Sequence, residues 1–119
     1  MSKVKRRLQK INDAMEDIEF ILDQVDFKVT KAIENRILKP AIRMHIIRIS
    51  EEFNSLKDEN EFETLENFSK EDLKGISAVR NFIAHDYDSV DDLIIENALK
   101  YNFPEIKKIV IKLLEQCQG

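Results

Sequence analysis

Glycine, proline and cysteine are nearly missing from this chain: its 119 residues hold two glycines, two prolines and one cysteine. Sheet proteins need turn residues and β-branched runs in quantity, and strand signals are almost absent. The composition instead suits an all-α protein, with Lys and Glu prominent and 35% of residues charged. A glycine-rich phosphate loop is excluded by the same scarcity. Cys117 stands alone near the C-terminus, so no intrachain disulfide can form, and a surface thiol in a reducing compartment fits it. Two histidines without metal-ligand spacing give no reason to expect a metal or another cofactor. Charged residues interrupt everything after the basic N-terminus of Lys3, Lys5, Arg6, Arg7 and Lys10, leaving no signal-peptide apolar region and no membrane span. The expectation is a cytoplasmic protein.

The length fits one domain over residues 1–119 with one core. Net charge is −4, unevenly distributed: residues 1–48 carry eleven Lys/Arg against seven Asp/Glu, and the remainder eight against sixteen. Any polyanion must therefore meet a local basic surface drawn from the first half, because the field of the whole chain opposes it.

Along the chain, Val4, Leu8, Ile11, Met15, Ile18, Leu22 and Val25 alternate spacings of four and three, the apolar seam of one long helix. Val29, Ile33 and Ile37 lead to Pro40, which either kinks a long helix or opens a new one in its first turn. The pattern continues through Ala41, Met44, Ile47 and Ser50 to Phe53 and Leu56, with His45 as a helix-surface or partly buried structural residue. Residues 57–68 are acidic and poorly periodic, a loop with a short helical turn around Phe62 and Leu65. Ser69 followed by Asp72 resembles a capping box that starts the next helix, and Gly75 inside it points to close helix packing. The acids Asp88, Asp91 and Asp92 suit a turn and helix N-terminus, followed by Leu93, Ile94, Ala98 and Tyr101. Asn102-Phe103-Pro104 reads as a break before a last helix carrying Ile106, Ile109, Val110, Leu113 and Leu114. The sum is an antiparallel bundle of about five helices.

The densest chemistry lies in residues 77–87, Ser-Ala-Val-Arg-Asn-Phe-Ile-Ala-His-Asp-Tyr. Helical spacing stacks Asn81 under His85 and sets Arg80 beside them, with Tyr87 joining if the helix runs that far; Leu73, Ile76, Val79 and Ile83, bordered by Phe82, form the apolar stripe. Metal-free RNA cleavage needs a base near the ribose 2′-hydroxyl and a cation on the phosphorane oxygens. His85 titrates near neutral pH and can be the base, Arg80 can grip phosphate in two-pronged geometry, and Asn81 can orient the phosphate or the imidazole. The same residues could instead cap the helix end and make surface hydrogen bonds.

Arg80, Asn81, His85 and Tyr87 resemble the Arg-x4-His-x-Tyr signature of HepT-like toxins, members of the HEPN superfamily of small helical ribonucleases. The likeness extends along nearly the full chain: Ile49-Ser50-Glu51-Glu52-Phe53 is similar to a segment often reading Ile-Gly-Glu-Ala, and Asn102-Phe103-Pro104-Glu105-Ile106 to a closing Asp-Leu-Pro-x-Leu. The resemblance implies a homodimer or higher assembly, with two motifs meeting in a composite RNA-cleaving cleft. It also implies catalytic roles for Arg80 and His85 and a supporting one for Asn81. It further implies a minimal nucleotidyltransferase antitoxin that transfers AMP from ATP to Tyr87, where the added bulk and charge would block RNA. The alternative is a non-catalytic helical substrate-binding partner of a nucleotidyltransferase. Two features depart from the pattern. Ser50 and Glu52 replace small residues, which bears on local packing. Asp86, Asp88, Asp91 and Asp92 favour protonated His85 and repel phosphate, so RNA binding needs basic helices to converge on the cleft.

Overall fold

The structure is a computed structural model; it describes residues 2–84 and 91–117, the side chains of 82–84 and 91 excepted. His85, Asp86, Tyr87 and Asp88, and the side chains of Phe82 and Ile83, therefore lie outside the described residues. Every regular element among the described residues is helical: α1 (Lys3–Asp23), α2 (Val29–Glu34), α3 (Leu38–Asp58), α4 (Phe62–Leu65), α5 (Lys70–Ala84), α6 (Asp91–Asn97), a π-helical turn (Ala98–Asn102) and α7 (Phe103–Gln116). With α2 and α4 only short and α6 to α7 continuous, the architecture is the expected all-α one and close to the expected five helices. No helix among the described residues is long and apolar enough to cross a membrane.

The Ser2 hydroxyl starts α1 by accepting a hydrogen bond from the Lys5 N–H at 3.1 Å. The seam read from the sequence is buried at Leu8, Ile11, Met15, Ile18 and Leu22, with Val4 and Val25 half-buried at its margins. That seam packs on α3, and ion pairs fix an antiparallel arrangement. Arg7, early in α1, reaches Glu52 and Glu59 late in α3 at 3.2 and 2.7 Å, while Arg48 reaches Asp17 at 3.2 Å. Glu52, one of the two departures from the family-like segment, is thus used in holding α1. Ser50, the other, is buried, and its hydroxyl has no partner among the described residues.

Pro40 resolves as part of a new helix. The Asn35 side chain accepts from the N–H groups of Ile37 and Leu38 at 2.8 and 2.9 Å, and Pro40 follows in the first turn of α3. The buried face of α3 is not the expected one. Ile42, Ile46, Ile49, Phe53 and Leu56 face the core, whereas Met44 is 65% exposed. Apolar residues occupy both faces of this helix, so only tracing back from Phe53 by threes and fours selects the correct side. The same holds for the 93–101 segment, where Ile95, Ala98 and Leu99 are buried while Leu93 and Tyr101 are exposed.

Scarce glycine also shows in the turns. Asp26, Phe27 and Asn60 adopt left-handed backbone at φ of 54, 60 and 61°. At the end of α3, Asn60 takes the place glycine usually fills: its neighbour Glu61 donates its N–H to the Leu56 carbonyl at 2.9 Å. The short α4 then covers the predicted turn around Phe62 and Leu65.

The Ser69 hydroxyl accepts the Asp72 N–H at 3.1 Å, as the capping pattern predicts. The Asp72 carboxylate does not turn back to complete the box; it accepts from Asn102 Nδ2 at 3.1 Å. Asn102 ends the π-helical turn, so the expected break before Pro104 is a widened turn in a continuous helical run, with Pro104 seated where α7 resumes. Gly75 lies directly against Asn102, and a methyl group there would overlap the Asn102 amide.

Gly75→Ala is therefore expected to destabilise the fold by about 1 kcal/mol in urea unfolding, overpacking outweighing the helix propensity of alanine. In an Asn102→Ala background the same change should be neutral or stabilising. A cost of equal size in both backgrounds would contradict this contact.

Candidate functional site

Helix α5 leans on α3 through Ile76 and Val79, both buried, with Leu73 half-buried beside them. Phe53 of α3 meets Phe68 edge-on just before α5, with ring centroids 5.0 Å apart. This apolar contact sets an antiparallel register in which Glu51 of α3 stands across from Arg80 of α5. Arg80 Nε donates to Glu51 Oε1 at 2.7 Å. The pair is open to solvent, with side chains 44% and 53% exposed, so it contributes at most about 1 kcal/mol to stability. Its geometric effect is larger. The contact uses Nε, which leaves both terminal Nη groups able to form a fork on a second anion.

Basic residues from the first half of the chain gather beside this pair. Lys10 of α1 and Arg48 of α3 line a groove together with Ile47, Glu51 and Glu52. Arg48 also sits 2.7 Å from His45 Nδ1. Arginine cannot accept a hydrogen bond, so Nδ1 must be the acceptor and the ring is neutral, with its proton on Nε2. Burial, then the Arg48 charge, push the His45 pKa below its ordinary value, and Asp17 opposes them more weakly. His45 is thus the half-buried structural histidine expected from the sequence. One of the acids flanking the motif, Asp92, is paired with Lys39 of α3 at 3.0 Å, which offsets part of the negative charge near the end of α5.

Of the residues singled out from the sequence, Arg80 and Asn81 are consecutive and exposed near the end of α5. His85 and Tyr87 lie outside the described residues. Cys117 is an exposed free thiol. Among the described residues, no three His, Cys, Asp or Glu side chains group so as to hold a metal ion. Glu51 is the residue that spacing could not reveal as a partner of Arg80. It is 29 positions away on another helix, and only its place in the family-like 49–53 segment marked it.

The model of the family described as "Ribonuclease HepT-like" matches residues 11–113, a span that contains α5, Arg80 and the Glu51 segment. The chain belongs to the HepT-like ribonuclease family. Among curated proteins, "Putative RNase MJ1216" of Methanocaldococcus jannaschii is 26% identical over 102 residues, covering 86% of this chain and 84% of that protein. No solved structure matches the chain significantly. Membership assigns the chain to a class of RNA-cleaving enzymes, in accord with the resemblance read from Arg80, Asn81, His85 and Tyr87.

The His45 geometry gives a signed pH dependence. The unfolded chain binds a proton at this residue more readily than the folded one, so the stabilisation is fully present above the ordinary histidine value of 6.5 and is lost as pH falls below it. Unfolding free energy measured between neutral and mildly acidic pH should decline more steeply for the native sequence than for His45→Gln. Identical slopes would contradict this assignment.

Proposed function

We propose that this HepT-like chain is a metal-independent endoribonuclease toxin of a toxin–antitoxin pair. The observation that carries the reading is the Nε-anchored Arg80, whose free Nη groups suit it to phosphate in a chain of a ribonuclease family. In the reaction, His85 takes the proton of a ribose 2′-hydroxyl, and the 2′-oxygen attacks the adjoining phosphorus. The bond to the 5′-oxygen breaks, and the leaving oxygen gains a proton. Arg80 stabilises the charge building on the phosphorane oxygens, Asn81 supports it by orienting the phosphate or the imidazole, and Glu51 keeps the guanidinium aimed. Two copies of the chain form the working unit, bringing two Arg80 side chains and the basic helices to one cleft, which counters the acidic flank of the motif.

The antitoxin in this reading is a minimal nucleotidyltransferase. The Tyr87 oxygen attacks the α-phosphorus of ATP, pyrophosphate leaves, and the AMP group then occupies the place of the RNA phosphate beside Arg80 and His85.

The expected outcome is that the purified chain cleaves RNA and that Arg80→Ala and His85→Ala each lower the rate by about 10²- to 10⁴-fold with unchanged thermal unfolding. Incubation with the partner nucleotidyltransferase and ATP should add one or more AMP masses, absent from Tyr87→Phe. Undiminished cleavage by either alanine variant would overturn the catalytic assignment. A stable complex with the nucleotidyltransferase and no cleavage by the unmodified chain would favour the binding-subunit alternative.

A further inference from the structure

The seam between α3 and α5 continues past the Arg80–Glu51 pair. Moving one turn forward on α3 and one turn back on α5 gives Asn54 beside Ser77, and a further turn gives Lys57 beside Lys74. These four residues line one groove, whose floor is apolar and includes Phe53, Leu65 and Leu73. The groove measures about 250 Å³, below the range of pockets that hold drug-sized ligands, and so suits a single planar ring better than an extended cofactor.

Three properties of this groove bear on what it can hold. Lys57 and Lys74 are exposed, share the groove, and make no ion pair among the described residues. Asn54 and Ser77 make no side-chain hydrogen bond to another described residue, which leaves an amide and a hydroxyl available. The apolar floor lies beneath them. A nucleotide presents the matching set: an anionic phosphate, a hydrogen-bonding base edge and an apolar base face. Lys74 is six residues from Arg80 on one helix, roughly 9 Å along its axis. A strand bound here can extend along the α3–α5 seam toward Arg80.

From these observations we infer that the α3–α5 groove is a subsite for the unpaired nucleotide adjoining the cleavage point of single-stranded RNA. Lys57 and Lys74 hold its phosphate, Asn54 and Ser77 meet the base edge, and Phe53, Leu65 and Leu73 support the base face. Double-stranded RNA does not use the subsite, because a stacked and paired base cannot enter the groove. The inference rests on the ribonuclease reading above and extends it to the form of RNA recognised.

The test measures binding of a short labelled single-stranded RNA to His85→Ala, in which cleavage is slowed, with and without Lys57→Ala and Lys74→Ala together. Lys112→Ala, on the exposed face of α7, serves as the control. The double lysine change should weaken binding about tenfold, and the logarithmic salt dependence should become shallower by about 0.7 for each phosphate no longer neutralised. The control should bind as before, and affinity for duplex RNA should be unchanged throughout. Unaltered single-strand affinity and salt slope, with the native sequence still cleaving RNA, would overturn the subsite and leave the ribonuclease reading standing. Failure of the native sequence to cleave and of His85→Ala to bind any RNA would remove that reading and the subsite with it. A change in oligomeric state on gel filtration of the double lysine variant would show the groove to be a contact between copies and would equally overturn the subsite.

Discussion

The packing of α5 against α3 is the contact on which the candidate site depends. Ile76 and Val79 are buried on α5, as are Ile49, Phe53 and Leu56 on α3. Taking these side chains out of water contributes on the order of 1.5 to 3 kcal/mol each, an upper estimate that still exceeds anything an exposed ion pair supplies. The apolar seam therefore brings Glu51 and Arg80 together. The ion pair then orients one guanidinium group, without holding the helices.

The same buried face of α5 is also held by other means. Gly75 lets the π-helical turn approach until Asn102 reaches the Asp72 carboxylate, and Ser69 secures the backbone at the start of the same helix. A side chain at position 75 would displace the Asn102 amide from the Asp72 carboxylate, and a regular turn at 98–102 would carry Asn102 to another face. α5 is thus fixed by apolar burial and, along the same face, by a small polar lock. Its exposed strip, which carries Arg80, Ser77 and Lys74, keeps a set relation to α3.

How much of this was legible in the sequence depends on the range of the interaction involved. Local signals were sound: Ser69 caps α5, Pro40 sits in the first turn of α3, and the alternating seam of α1 is buried where its spacing indicated. Gly75 correctly marked a close approach, although only the fold identifies Asn102 as the neighbour. Periodicity does not decide the face of α3, where Met44 is exposed, because that helix has apolar residues on both sides and the pattern has two nearly equal answers. The segment before Pro104 looks like a break in the sequence because a π-helical turn has no compositional mark of its own. The Glu51–Arg80 contact joins residues far apart in the chain, beyond the reach of any local pattern. Family resemblance gives Arg80, Asn81, His85 and Tyr87 their proposed roles, whereas spacing alone also allows a helix-capping role for the same residues.

In the proposed mechanism Glu51 acts through Arg80, fixing its Nε so that the terminal amino groups can meet an RNA phosphate. A double-mutant cycle on the rate of RNA cleavage tests this coupling, using Glu51→Gln, Arg80→Lys and the two combined. Lysine lacks the Nε anchor, so each change should lower kcat/KM and the combined variant should be no worse than the less active of the two, with thermal unfolding unchanged in all three. Losses that multiply would show that Glu51 and Arg80 act independently, and would contradict a positioning role for Glu51.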